Sequence, residues 1–201
     1  MATERRVRLT PEDRRAQLVA LGVAALVDSP LEALTLEELA KRAGVSRGLL
    51  FYHFGSKQGL HREVVRTARD SMLHASEPLP DLEPLDRLRD TLTRIVQFVR
   101  DHRGTFYSLV RGVASADFEV REVVEQARAS QAERLLAVFL ELGVADSVLL
   151  RIAMRSWVSF AEETLIECAL NTEMPSEDIV RFLERSARAV AASVGGGTLD
   201  A

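Results

Sequence analysis

Thr35–Leu60 reads TLEELAKRAGVSRGLLFYHFGSKQGL, and its spacing predicts three helix starts in quick succession. Thr35 with Glu38 three residues later forms a capping box. Leu36, Leu39, Ala40 and Ala43 follow at offsets of zero, three, four and seven, an apolar stripe on one helix face. Gly44 suits the left-handed conformation that ends this helix and turns the chain. Ser46 caps a second short helix reaching about His53, and Ser56 caps a longer one to about Ala75. Leu39, Val45 and Leu50 brace the two short helices, with Phe54 and Leu60 tying in their neighbours. This order of parts is a helix-turn-helix, in which one helix supports a second whose outer face meets base edges in the DNA major groove.

On that outer face the reading places Arg47, Gly48, Leu49, Phe51 and Tyr52. Arg47 suits either a bidentate pair with guanine or a phosphate contact. Leu49 suits a thymine methyl. Gly48 costs about 1 kcal/mol of helix propensity relative to Ala, which close approach to a DNA backbone would explain. Thr35, Ser46, Tyr52, His53 and Lys57 suit phosphate contacts, Thr35 and Ser46 at helix starts where backbone N–H groups also point outward. His53 suits packing within the domain equally well.

The charge distribution supports a basic module on an acidic body. The whole chain of 201 residues carries a formal charge of −4. Residues 1–76 hold 12 Lys/Arg and 9 Asp/Glu, a net of +3, whereas residues 77–201 hold 14 and 21, a net of −7. From Lys41 to Arg69 seven basic residues face one acid, Glu63. Local potential at the docking face, not whole-chain charge, governs affinity for DNA.

Upstream, residues 1–9 form a flexible basic arm; Arg5, Arg6 and Arg8 either enter a minor groove or only aid non-specific attraction. Thr10-Pro11-Glu12-Asp13 starts a helix that Ser29-Pro30 stops near Val27. Residues 10–76 make the helix-turn-helix domain, including the start of a connecting fourth helix. The boundary is Glu77–Pro84, EPLPDLEP, with three prolines in eight residues. Five helices follow, at about 85–101, 104–114, 118–141, 146–171 and 176–194, with starts at Asp117, Asp146 and Ser176. Residues 77–194 form the larger C-terminal domain, and 195–201 a flexible tail. The fold class is therefore all-α, about nine helices, with few glycines and prolines and no strand pattern.

Thr35, Ala40, Ala43-Gly44-Val45-Ser46, Leu50, Phe51-Tyr52, His53-Phe54, Lys57 and Leu60 resemble the signature of the TetR family of bacterial repressors. The resemblance spans about residues 10–65. It implies a homodimer with an N-terminal three-helix DNA-binding domain and a C-terminal domain for dimerisation and effector binding. It further implies a ligand-responsive regulator, a repressor that binds a palindromic operator and is released by a small-molecule effector. Carried over by position, Thr35, Ser46, Arg47, Gly48, Tyr52, His53 and Lys57 resemble DNA contacts. The family commonly has Tyr at the position of Phe51, so the lost hydroxyl ranks Tyr52 above Phe51.

In the C-terminal domain, aromatic and polar residues at helical spacing mark a candidate effector pocket: Phe98, His102, Phe106, Tyr107, Arg111, Trp157, Phe160, Ala161 and Thr164. Ordinary core is the competing assignment for each. Glu162 and Glu163, mid-helix in an otherwise apolar run, read as surface or interface carboxylates, with one of them facing a pocket and a cationic ligand as the alternative. The last two helices carry a candidate dimer interface at Ile152, Leu165, Ala169, Ile179, Phe182, Leu183 and Val190. No metal spacing links the four His with Cys168, and no phosphate loop or nucleophile elbow is present, so the reading includes no enzyme, metal or cofactor. The single Cys fits a reducing cytoplasm. The N-terminus lacks the apolar core of a secretion signal, and no apolar run reaches the ~18–20 residues of a membrane span.

Overall fold

Caps written in the sequence become the helix starts of the structure. The computed structural model describes residues 10–27, 29–111 and 118–195, and every regular element among them is helical. The elements are α1 (Pro11–Ala25), a 3-10 turn (Leu31–Ala33), α2 (Leu36–Ala43), α3 (Arg47–Phe54), α4 (Lys57–Ala75), α5 (Pro84–Asp101), α6 (Arg103–Arg111), α7 (Phe118–Glu141), α8 (Val148–Thr164) and α9 (Ser176–Gly195). At the start of α1 the Thr10 hydroxyl accepts the Asp13 N–H at 3.1 Å, while the Asp13 carboxylate accepts from the Thr10 backbone and hydroxyl. Thr35, Ser46 and Ser56 cap α2, α3 and α4 through the hydroxyl alone, accepting the N–H of Glu38, Leu49 and Gly59. The reciprocal bond of a capping box is not made at Thr35, since the Glu38 carboxylate accepts from Arg42.

Three boundaries differ from the sequence reading. α1 ends at Ala25, and the 3-10 turn after it buries Leu31 and is followed by buried Leu34. Such a turn is too short to leave a periodic signal. The cap of α8 is Ser147, which accepts the Leu150 N–H at 3.1 Å; Asp146 instead holds Arg151 at 2.9 and 2.6 Å. α8 then continues as a π-helix over Leu165–Leu170. Arg5, Arg6, Arg8, the helix start proposed at Asp117, residues 112–114 and the tail beyond Gly195 lie outside the described residues.

Buried side chains form two clusters. The N-terminal one joins α1 to α4 through Leu18, Leu39, Leu50, Leu60 and Val64, and extends to Leu109 of α6 and Val120, Val123 and Val124 of α7. The C-terminal one draws on α5 to α9, including Val96, Phe106, Phe139, Met154, Trp157 and Leu183. Met72 of α4 packs against the second cluster. The proline-rich segment 77–84 thus separates helices in sequence without separating cores: α4, α6 and α7 serve both. A close approach welds the two at Gly104, where an added Cβ would lie 2.1 Å from the Leu26 carbonyl oxygen. Only glycine lets the start of α6 rest against the end of α1 this closely.

Candidate nucleic-acid interface and inner cavity

α2 buries Leu36, Leu39 and Ala40 and leaves its charged side outward. Gly44 then adopts φ 64°, ψ 33°, and its N–H meets the Ala40 and Lys41 carbonyls. That left-handed residue changes the chain direction between two helices of eight residues each. The Ser46 hydroxyl accepts the Leu49 N–H at 3.2 Å to start α3. Leu50 and Phe54 turn inward and are buried, which fixes the rotation of α3 about its axis. Phe51 and Tyr52 consequently stand in solvent, 61% and 76% exposed. Arg47, Gly48 and Tyr52 share the exposed side, while Leu49 and His53 are half-buried at its edges. The His53 ring sits edge-on to Tyr52 with centroids 5.2 Å apart.

Gly48 is informative because nothing inside the chain requires it. A Cβ there would meet only the Ser46 hydroxyl oxygen, at 3.9 Å. The folding penalty of a helical glycine therefore has no internal compensation.

Several cations of this face already hold partners. Arg47 Nε lies 2.8 Å from Glu37, with both side chains exposed; Arg42 lies 3.0 Å from Glu38. Lys57 Nζ donates to the Glu32 carbonyl at 2.6 Å, and His61 Nε2 lies 2.7 Å from the Leu34 carbonyl. The sequence window starting at Lys41 omitted Glu37 and Glu38, which the turn at Gly44 brings back beside the basic residues. Exposed pairs of this kind contribute only about 0–1 kcal/mol, so a phosphate can replace the carboxylate at little cost.

Between α4, α5, α7 and α8 lies a cleft of about 740 Å³ counting its open mouth. It is narrow, and its walls are mainly apolar: Leu88, Leu92, Phe106, Leu135, Trp157 and Val158 among them. Of the nine residues expected at a pocket, Phe106, Trp157 and Ala161 line it. The others require correction. Phe98 is buried but stacks on His102 at 4.5 Å, away from the cleft, and His102 is exposed at the end of α5. Tyr107 is 52% exposed. Thr164 returns its hydroxyl to the Phe160 carbonyl at 2.9 Å, and Phe160 faces outward to Phe182, centroids 5.9 Å apart. The side chain of Arg111 lies outside the described residues. Aromatic content marked those helices correctly but could not say which turn faces inward.

Sequence reading missed four polar groups of the cleft, Arg87, Thr91, Gln131 and Arg134, and held a pocket position for Glu162 only as the alternative. Glu162 lines this wall, not the surface. Burial pushes its carboxyl up from the ordinary value, opposed by Arg128, which donates to it at 2.7 to 3.1 Å. Arg128 in turn reaches Glu125 at 2.7 Å. The adjacent acids Glu162-Glu163 inside an apolar run were the available signal.

The seven interface residues divide similarly. Leu165, Ala169, Ile179 and Leu183 are core. Ile152 and Phe182 are exposed and Val190 half-buried. α8 carries two apolar stripes, and the reading mixed them. The outward stripe consists of Val148, Leu149, Ile152 and Phe160, beside Phe182 of α9.

Among the described residues no helix is long and apolar enough to cross a membrane, and no group of three or more His, Cys, Asp or Glu could hold a metal ion. What the fold presents is an outward recognition helix on a helix-turn-helix, joined to a helical body with a cleft. These features define a helix-turn-helix DNA-binding class.

Comparison with known proteins narrows this. Residues 18–64 match the model for bacterial regulatory proteins of the tetR family, and residues 84–190 match a tetracyclin repressor-like C-terminal domain. The chain belongs to the TetR family of DNA-binding transcriptional regulators, and not to an enzyme family. It is 27% identical over 140 residues to the repressor KstR2 of Mycolicibacterium smegmatis, covering 68% of this chain and 67% of that one. Over 105 residues it is 30% identical to the activator FasR of the same species, covering 51% and 48%. It is 32% identical over 80 residues to the regulator BetI of Klebsiella pneumoniae, covering 38% and 41%. The chain thus spans under half the length of FasR and BetI. In fold it is similar to a tetR-family regulator from Streptomyces coelicolor, with TM-score 0.81, 24% identity and coverage of 92% and 85%. A TetR-like regulator from Rhodococcus sp. RHA1 gives TM-score 0.72 and 20% identity, with coverage of 94% and 100%.

Proposed function

We propose that the chain acts in the cytoplasm as a ligand-responsive repressor that binds a palindromic operator as a homodimer and leaves it when a small molecule fills the cleft. The observation that carries the DNA-reading part is the outer side of α3. Arg47 and Tyr52 stand in solvent there beside a glycine with no internal reason to be one. On DNA, Arg47 exchanges Glu37 for a guanine edge or a phosphate, and Tyr52, Thr35, Ser46 and Lys57 hold phosphates. The Thr35 and Ser46 hydroxyls each accept a backbone N–H at their caps and so keep a proton to donate. Phe51 offers only apolar contact, with Leu49 and His53 at the margins.

The exposed apolar stripe of α8 and α9 supports self-association through Ile152, Phe160 and Phe182, because it is the side these helices do not use internally. Two copies joined there would present two recognition helices to half-sites about 34–36 Å apart. Release requires the ligand to prefer a geometry that misfits this spacing. α4 is suited to carry that signal, since it borders the cleft through Met72 and begins at Lys57 directly after α3. Selection from genomic DNA followed by salt-titrated binding should recover a palindrome. Sequence-independent binding throughout would overturn the proposal.

A further inference from the structure

Among the described residues, one cation of the cleft has no carboxylate within bonding distance. Arg134 of α7 lines it, half-buried, and donates from Nη1 alone: to the Leu73 carbonyl at 3.0 Å, the Ser76 carbonyl at 3.1 Å and the Ser76 hydroxyl at 3.2 Å. Its Nε and Nη2 have no acceptor among the described residues, and no carboxylate pairs with it. Burial lowers the pKa of this guanidinium from its ordinary value. Exposed Glu77 attracts it and Arg94 repels it without either bonding to it. The other charges of the wall are matched. Arg87 is paired with Glu141, and Glu162 is gripped by Arg128. Thr91 of α5, buried in the same wall, has no hydrogen-bond partner for its hydroxyl among the described residues. Gln131 uses its amide N–H on Ser76 and keeps its carbonyl free of any such partner.

We propose that the cleft takes an amphiphilic acid, its chain among Leu88, Leu92, Phe106 and Trp157 and its carboxylate on the free edge of Arg134, with Thr91 as a second donor. A guanidinium offers a planar fork that matches a carboxylate. A cationic ligand has no comparable partner, because the carboxylate of Glu162 is occupied. The rival reading is that Arg134 is only a clamp on the carbonyl end of α4, favoured there by the helix dipole. A clamp would need the Nη1 bonds, leaves the other edge unexplained, and gives no preference among ligands. The proposal rests on the cleft being the effector site, and it names the class of that effector.

The test is calorimetric titration of the full chain with four probes of one chain length: octanoate, octanol, methyl octanoate and octylamine. Octanoate should bind about ten- to a hundredfold more tightly than the neutral two, the range of a charge-assisted hydrogen bond, with octylamine weakest. Arg134→Gln should erase the preference for the acid, Arg134→Lys should restore part of it, and Thr91→Val should weaken octanoate more than the ester. Equal binding of acid and ester, tighter binding of the amine, or no binding by any probe up to its solubility overturns the assignment. So does an unchanged preference in Arg134→Gln. Should that variant fail to fold, the ranking of the four probes on the unaltered chain decides alone. Operator release is measured in parallel. Release by octanol as readily as by octanoate overturns the acid class while leaving an effector site. Arg134-dependent octanoate binding without release supports the acid site and overturns its role as effector site.

Discussion

The outer side of α3 and the cleft between α5 and α8 put the same residue types to opposite uses. On α3 an arginine and two aromatics stand in water, and Arg47 is neutralised by Glu37 across an exposed gap of 2.8 Å. In the cleft Phe106 and Trp157 are buried, and half-buried Arg134 bonds only to carbonyl and hydroxyl oxygens. At the surface an ion pair forms and exchanges cheaply, so α3 can give up Glu37 for a polyanion. Inside, a guanidinium bonded only to neutral oxygens keeps a planar edge that suits a carboxylate, so Arg134 can favour an anionic ligand. The same side chain thus indicates a rapidly exchanging surface in one place and a selective pocket in the other.

Each half of this comparison can be broken separately. Trp157→Ala should have the largest effect, a loss of about 3–5 kcal/mol of stability, because a buried ring leaves a void beside the cleft. It also removes the indole N–H that the Ser186 hydroxyl accepts at 2.9 Å, leaving that hydroxyl its bond to the Leu183 carbonyl. Chemical denaturation measures the loss, and the salt dependence of DNA binding by the folded fraction should not change. Arg47→Ala should leave stability nearly unaltered and weaken operator binding by about 1–3 kcal/mol. If Arg47 reads a base, discrimination at one operator position relaxes; if it holds a phosphate, all sequences weaken alike and the salt slope falls by about one.

Gly48→Ala should separate folding from function most cleanly. The new methyl group meets only the Ser46 hydroxyl oxygen, at an ordinary contact distance of 3.9 Å, so stability should rise by about 0.5–1 kcal/mol. Operator affinity should fall, and a variant that is both more stable and equally tight on DNA would remove the argument for close backbone approach. The smallest effect belongs to Glu63, which accepts from Arg15 at 2.9 Å and links α4 to α1. The Arg15 hydrogen bond lowers the pKa of this carboxyl below its ordinary value. The folded state therefore favours the charged form: the stabilisation is present above the ordinary carboxylate range and is lost as pH falls through the lowered pKa. Glu63→Gln should cost about 0.2–1 kcal/mol near neutrality, and nothing once both chains are measured below that pKa.

How much of this was legible in the chain depended on the reach of each signal. Thr10, Thr35, Ser46 and Ser56 announced their helices because a cap involves residues three apart. Gly44 announced the turn because few residues tolerate its left-handed backbone. Gly104 carries no such local signal: it is a contact point against Leu26, 78 positions earlier in the chain. Periodicity found apolar helices but not their facing: Leu183 and Phe182 are neighbours, one fully buried and the other half in water. Glu37 was available to sequence inspection yet excluded by the window in which charges were counted.

By itself the sequence determined the helices, the turn between α2 and α3, and therefore a reading head whose outer side is set by the inward pull of Leu50 and Phe54. These follow from hydrogen bonds and steric limits acting within a few residues. Only the tertiary structure decided which apolar stripes become core, which wall Glu162 joins, and that Arg134 bonds to no carboxylate among the described residues. Those outcomes depend on which groups exclude water from one another across α4, α5, α7 and α8, and burial of that kind is a property of the assembled helices.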